Sequence, residues 1–169
     1  MEEFIKILNK ASKLESDGYD FYNKKARKAK NKLVKNLFLN LAKEENLHYQ
    51  KIEMIAEALL SGKRIFKKDT VLGKYEGRIF DEIFSKYDDD SEYKSEMEAL
   101  KTAEKMEKGS IRHYRGALEK AKDPVVKDFL SRLIKEEEGH LLSIVDSIEY
   151  IKSPEDWYMR HERSMYDGA

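Results

Sequence analysis

Cysteine is absent from all 169 residues. That absence excludes a disulfide framework, a thiolate metal site and thiol chemistry together. Proline occurs twice, at Pro124 and Pro154, so little interrupts a helix. No apolar run approaches the ~18 residues of a membrane span, so no membrane association is expected. The N-terminal MEEFIKILNK has neither a basic leader nor a long apolar stretch, which predicts no signal peptide and a cytoplasmic protein. An excess of one charge is lacking too. Thirty-three Lys and Arg balance 33 Asp and Glu, so no net basic field favours nucleic acid. What remains is 40% apolar and 39% charged, enough for one domain with a buried core.

The apolar spacing predicts four long helices, over 2–29, 32–60, 91–121 and 124–151. Asn31 suits the N-cap of the second, and Asp123 followed by Pro124 suits the start of the fourth. Between the second and third helices lies a crossover, 61–90, with a short helix expected near 78–86. The tail, 152–169, follows a proline and holds the only tryptophan, Trp157. It reads as a separate short element covering apolar surface or a subunit contact. Asp88, Asp89 and Asp90 read as a turn and helix-start cluster.

The chain repeats itself at an interval of 92 residues. Glu15 falls on Glu107, Tyr22 on Tyr114, Val34 on Val126 and Leu41 on Leu133. Lys43-Glu44-Glu45 falls on Lys135-Glu136-Glu137, and His48 on His140. Two αα-hairpins of common design follow. A two-fold axis across the bundle requires the crossover to travel its length. A helix of ~28 residues is ~42 Å long, a span that a 30-residue crossover covers.

Each helix has a stripe at 3–4 spacing, and each stripe is broken by carboxylate. The first runs Leu8, Ala11, Glu15, Gly18, Tyr22. The second runs Leu41, Glu45, His48, Ile52. The third runs Leu100, Glu104, Glu107, Ile111, Tyr114, and the fourth Leu133, Glu137, His140, Ile144. Distances from the two hairpin turns are matched, so Glu15 is expected to face Glu45 and His48. Likewise Glu107 is expected to face Glu137 and His140. Four carboxylates and two imidazoles in one dry layer are costly unless compensated. Two divalent cations would neutralise four glutamates. Mixed oxygen and nitrogen donors without thiolate suit iron or manganese better than structural zinc.

The segments ESDGYDFY (15–22) and EKGSIRHY (107–114), with ENLH (45–48) and EEGH (137–140), resemble the ferritin-like superfamily and its rubrerythrin group over residues 2–151. The resemblance implies an all-α, ferritin-like four-helix bundle of two αα-hairpins joined by a long crossover, plus a short C-terminal element. It covers 1–151, with 152–169 as a tail. The same resemblance implies two iron ions per chain, with manganese or a mixed pair as alternatives. Glu45 and Glu137 would bridge the metals, and Glu15, Glu107, His48 and His140 would be terminal ligands. Tyr22 and Tyr114 would stand beside the site as hydrogen-bonding catalytic residues. Glu104 resembles a further, mobile glutamate ligand. Rubrerythrins usually carry a four-cysteine rubredoxin domain, which this sequence lacks, so an external electron donor or the metal substrate itself would supply electrons.

Plainer readings stand beside these. Tyr22 and Tyr114 also suit core filling, and Glu104 also suits a solvated pair with Lys108. Gly18 and Gly116 sit mid-helix at a cost of about 1 kcal/mol each, admitting either a close helix or a small molecule. His113 and His161 lack a glutamate three residues earlier and receive no metal role. The functional expectation is an oxidoreductase that reduces hydrogen peroxide or oxygen, with a homodimer as the expected assembly. The alternatives are a ferroxidase or iron-storage protein and a non-catalytic bundle with a vestigial site.

Overall fold

The computed structural model describes residues 2–72 and 94–159. Four helices dominate: α1 (Glu2–Ala26), α2 (Lys32–Leu60), α3 (Lys94–Lys120) and α4 (Pro124–Lys152). Among the described residues there is no strand, and no helix is long and apolar enough to cross a membrane.

Side-chain chemistry sets the helix ends. The Asn31 side chain accepts from the backbone N–H groups of Leu33 and Val34, and Asp123 does the same for Val125 and Val126. Each satisfies donors that the first helical turn leaves open. α2 stops at Gly62, whose φ of 64° suits a residue without a Cβ. The N–H of Lys63 returns to the carbonyl of Ala58 at 2.9 Å, and that of Gly62 to Leu59 at 3.4 Å, a Schellman closure. α1 ends at Ala26 rather than at 29, because the chain tightens there. Lys28 bonds back to Lys25, a three-residue step.

α1 packs on α2 and α3, and α4 packs on α3 and α2. Neighbours run antiparallel. Lys120 at the end of α3 pairs with Glu3 at the start of α1 at 2.9 Å, and His113 Nε2 lies 3.0 Å from the carbonyl of Ile7. The apolar core forms two clusters. Leu8, Ala11, Ile52, Tyr114, Val126, Phe129 and Leu133 belong to one. The other holds Leu100, Ala103, Ile144, Tyr22, Val34, Leu37 and Leu41. Every residue in the first set lies 92 positions from one in the second. The clusters are images of each other, and the polar layer lies between them.

The crossover is described as far as residue 72. Its opening stretch buries Ile65 and Leu72 in one core cluster and forms a 3-10 turn at Lys67–Thr70. Arg132 of α4 holds that turn, donating to the carbonyl and the hydroxyl of Thr70, both at 3.1 Å. The expected short helix near 78–86, the Asp88–Asp90 cluster and the first residues of the expected 91–121 helix lie outside the described residues. So does His161. After Ser153 the chain is helical again over 154–159. Trp157 is buried there, donates to Asp146 Oδ1 at 2.7 Å and meets Tyr150 and Tyr158 edge-on. The tail's tryptophan covers the second core cluster.

Candidate metal centre

The helical period brings one polar turn from each helix to the bundle waist. Glu15 comes from α1, Glu45 and His48 from α2, Glu107 from α3, and Glu137 and His140 from α4. All six are at most 4% exposed. They form two overlapping groups of donor atoms, each group lying within 4.8 Å. One is Glu15, Glu45, His48 and Glu137; the other is Glu107, Glu45, His140 and Glu137. Glu45 and Glu137 belong to both. Glu15 and His48 serve one group only, and Glu107 and His140 serve the other.

The imidazoles define the geometry. His48 Nδ1 lies 3.2 Å from Glu15 Oε2 and 3.0 Å from Glu137 Oε1. His140 Nδ1 lies 3.3 Å from Glu45, 3.6 Å from Glu137 and 4.0 Å from Glu107. The rings stack with centroids 5.6 Å apart. Their outer nitrogens turn to the opposite hairpin: His48 Nε2 meets Glu136 at 2.9 Å, and His140 Nε2 meets Glu44 at 2.6 Å. A carboxylate on Nε2 fixes a neutral ring as the Nε2–H tautomer, leaving the Nδ1 lone pair aimed inward. The tyrosines cross over in the same way. Tyr22 donates to Glu107 and Tyr114 to Glu15.

Electrostatics shows what the layer lacks. Burial raises the pKa values of Glu15 and Glu107 well above the ordinary carboxylate value, and the neighbouring carboxylates raise them further. Burial and Glu137 raise that of Glu45. Burial alone would lower those of His48 and His140. The carboxylates of Glu136 and Glu137 beside His48, and of Glu137 and Glu44 beside His140, instead lift them well above 6.5. Burial opposes ionisation of Glu137 too, yet the two imidazoles hold its pKa below normal. Tyr22 is raised well above 10.0 by burial and by Glu107. Without metal, protons supply the positive charge.

Protons compensate the layer incompletely. Both oxygens of Glu137 and Oε1 of Glu45 are buried without a well-formed hydrogen bond. The imidazole Nδ1 atoms lie within ion-pair distance of these particular oxygens, but no aligned hydrogen bond joins them. Buried lone pairs left over at the two shared carboxylates fit a cation between them. The donor set is oxygen-rich with two imidazoles and no sulfur, which suits a borderline or hard metal.

Of the residues that the sequence nominates, Glu104 stands apart. It is in neither group and pairs with Lys108 at 2.5 Å on a partly exposed face. Sequence reasoning passes over Glu44 and Glu136 as partners of the histidines, although both doubled glutamates are visible in the repeat. It also leaves Gly18 undecided. A Cβ there would stand 2.6 Å from Glu45 Oε2, whereas one at Gly116 would meet nothing within 4 Å.

No curated protein and no solved structure matched the chain. The family profile described as rubrerythrin matches residues 6–145, a span that contains all six converging residues and both tyrosines. Buried carboxylates and histidines placed to hold metal, on a cysteine-free helical bundle with that match, make the chain a member of the rubrerythrin family, within the ferritin-like superfamily.

Proposed function

We propose that the protein is a non-haem di-iron carboxylate oxidoreductase that reduces hydrogen peroxide or oxygen. The observation behind this reading is the pair of donor groups sharing Glu45 and Glu137. Glu15 and His48 would hold one metal, Glu107 and His140 the other, and the shared carboxylates both. Two iron ions so bound would supply electrons to an O–O bond and Lewis acidity to its oxygens.

The chain contributes orientation, dryness and proton control. Glu136 and Glu44 set the imidazole rings. Tyr22 and Tyr114 each hold one oxygen of a terminal carboxylate, which fixes its rotation and leaves the other oxygen for the centre. The two apolar clusters close the layer above and below, so charges in it are weakly screened. Reducing hydrogen peroxide to two waters takes two electrons and two protons. These 169 residues hold no thiolate redox centre; on this reading the electrons would come from a separate donor group or from the metal substrate itself.

A second reading treats Fe(II) as the substrate, oxidised and then stored or passed on. The same donor groups would serve it, and iron arriving as substrate would bring its own electrons. Anaerobic Fe(II) titration, followed by separate exposure to oxygen and peroxide, tests both. The expected result is two metals per chain and faster oxidation by peroxide. Faster turnover with oxygen and release of Fe(III) would favour the iron-handling reading. Failure to bind Fe(II) would overturn both.

A further inference from the structure

We propose that Gly18 is a positioning residue for Glu45: its bare backbone lets this one shared carboxylate lie back against α1. The inference rests on the metal-holding reading above. A Cβ at Gly18 would stand 2.6 Å from Glu45 Oε2, 3.2 Å from Cδ and 3.5 Å from Cγ. Gly18 is buried and sits one helical turn beyond Glu15. The same face of α1 therefore offers a ligand and, beside it, a clearance. A glycine inside a helix is unfavourable, and a side chain at Gly109 or Gly116 would meet nothing within 4 Å. The clearance is thus particular to Gly18 among these three.

The repeat sharpens the point. Ninety-two residues on from Gly18 stands Ser110, buried, with a side chain. The two shared carboxylates therefore differ. Glu137 lies between both imidazoles, 3.0 Å from His48 and 3.6 Å from His140. Glu45 has one imidazole within 4.0 Å, that of His140 at 3.3 Å, and the clearance at Gly18. Glu137 is the fixed shared ligand and Glu45 the adjustable one.

The test compares the wild type with Gly18→Ala, Glu45→Asp, their double variant and Gly116→Ala. Each is titrated anaerobically with Mn(II) by calorimetry and melted metal-free. Gly18→Ala should weaken metal binding about tenfold or more, and Gly116→Ala should leave it unchanged. Aspartate is one methylene shorter and draws back from the added methyl. Glu45→Asp should therefore cost less in the Gly18→Ala background than in the wild type. In the metal-free melts Gly116→Ala should gain about 2–4 °C from helix propensity, and Gly18→Ala should not. Wild-type affinity in Gly18→Ala, or purely additive effects in the double variant, would overturn the proposal. If Gly18→Ala does not fold, the double variant must fold, or the proposal fails. A wild type that binds two metals beside an unaffected Gly18→Ala sinks this inference alone. A wild type that binds none sinks the metal reading with it.

Discussion

Residues 2–60 and 94–152 build the same hairpin twice, and the places where the copies agree or diverge are informative. They agree at the waist: Glu15 with Glu107, Glu45 with Glu137, His48 with His140, Glu44 with Glu136, Tyr22 with Tyr114. One to two turns away they diverge at particular positions. Ser12, whose hydroxyl donates to Glu53 at 2.5 Å, corresponds to Glu104, which pairs with Lys108. Gly18 corresponds to Ser110, and Ile55 to Ser147. At the waist each copy completes the other, because every tyrosine and every imidazole bonds a carboxylate of the opposite hairpin. A change in one copy would strand a buried charge in both. Farther out, a side chain answers only to its own surroundings, and divergence costs little.

The largest effect expected from breaking this arrangement separates shared from unshared ligands. Glu137→Ala removes oxygens from both donor groups, so anaerobic titration should find neither metal held tightly. Glu15→Ala removes one oxygen from one group and should leave the metal at Glu107 and His140 in place. Equal losses from the two substitutions would contradict the assignment of shared and terminal roles.

Titration sharpens the comparison next. His48 and His140 form a matched pair, both raised above 6.5 against the pull of burial by their carboxylate neighbours. Their contribution to metal-free stability is complete below about 6.5 and is lost as pH rises through the folded values. Glu15 and Glu107, raised by burial above 4.5, act with the same sign. The shared carboxylates differ: Glu45 is raised, and Glu137 is lowered. Glu137 has the opposite sign, its share present above 4.5 and lost in acid. The metal-free protein should therefore lose stability as pH rises from about 6 to 9, seen as a falling melting midpoint. Metal must displace those protons, so affinity should rise over the same range and binding should release protons. A metal-free midpoint that climbs with pH would refute the proton-compensated layer.

Much of this is legible in the sequence because helical period and turn signals are local. The starts of α2 and α4 follow from Asn31 and from Asp123 with Pro124, which act on their own first turns. The level of the polar layer follows from counting outward from each turn. What is not legible depends on how helices rotate against partners distant in sequence. Spacing alone places Glu44 beside Glu45. It says nothing of α4 standing across from it, so the bond from Glu44 to His140 is invisible at that level. Gly18 is ambiguous for the same reason, since a missing side chain gains meaning only from what occupies its place. The crossing of the tyrosines likewise needs the packing of α1 on α3.

The smallest effects lie in the caps, and they show how the copies reach one end by different means. Asn31 and Asp123 are equivalent positions, and each side chain accepts two N–H bonds at a helix start. Replacing either with alanine should cost about 1 kcal/mol in urea unfolding. Asp123 also brings negative charge to the positive end of α4, a contribution of about 0.3–1 kcal/mol that salt screens. Asn31 brings none. The charge at α2 comes instead from α3: Glu96, 5% exposed, accepts from the N–H groups of Lys30 at 2.6 Å and Asn31 at 2.9 Å. The cost of Asp123→Ala should shrink between low and high salt, and that of Asn31→Ala should stay constant. For α2 the screened contribution should appear on Glu96→Gln, reduced by Glu96's burial. Asn31→Ala varying with salt as strongly as Asp123→Ala would show that α2 does not borrow its charge from the other hairpin.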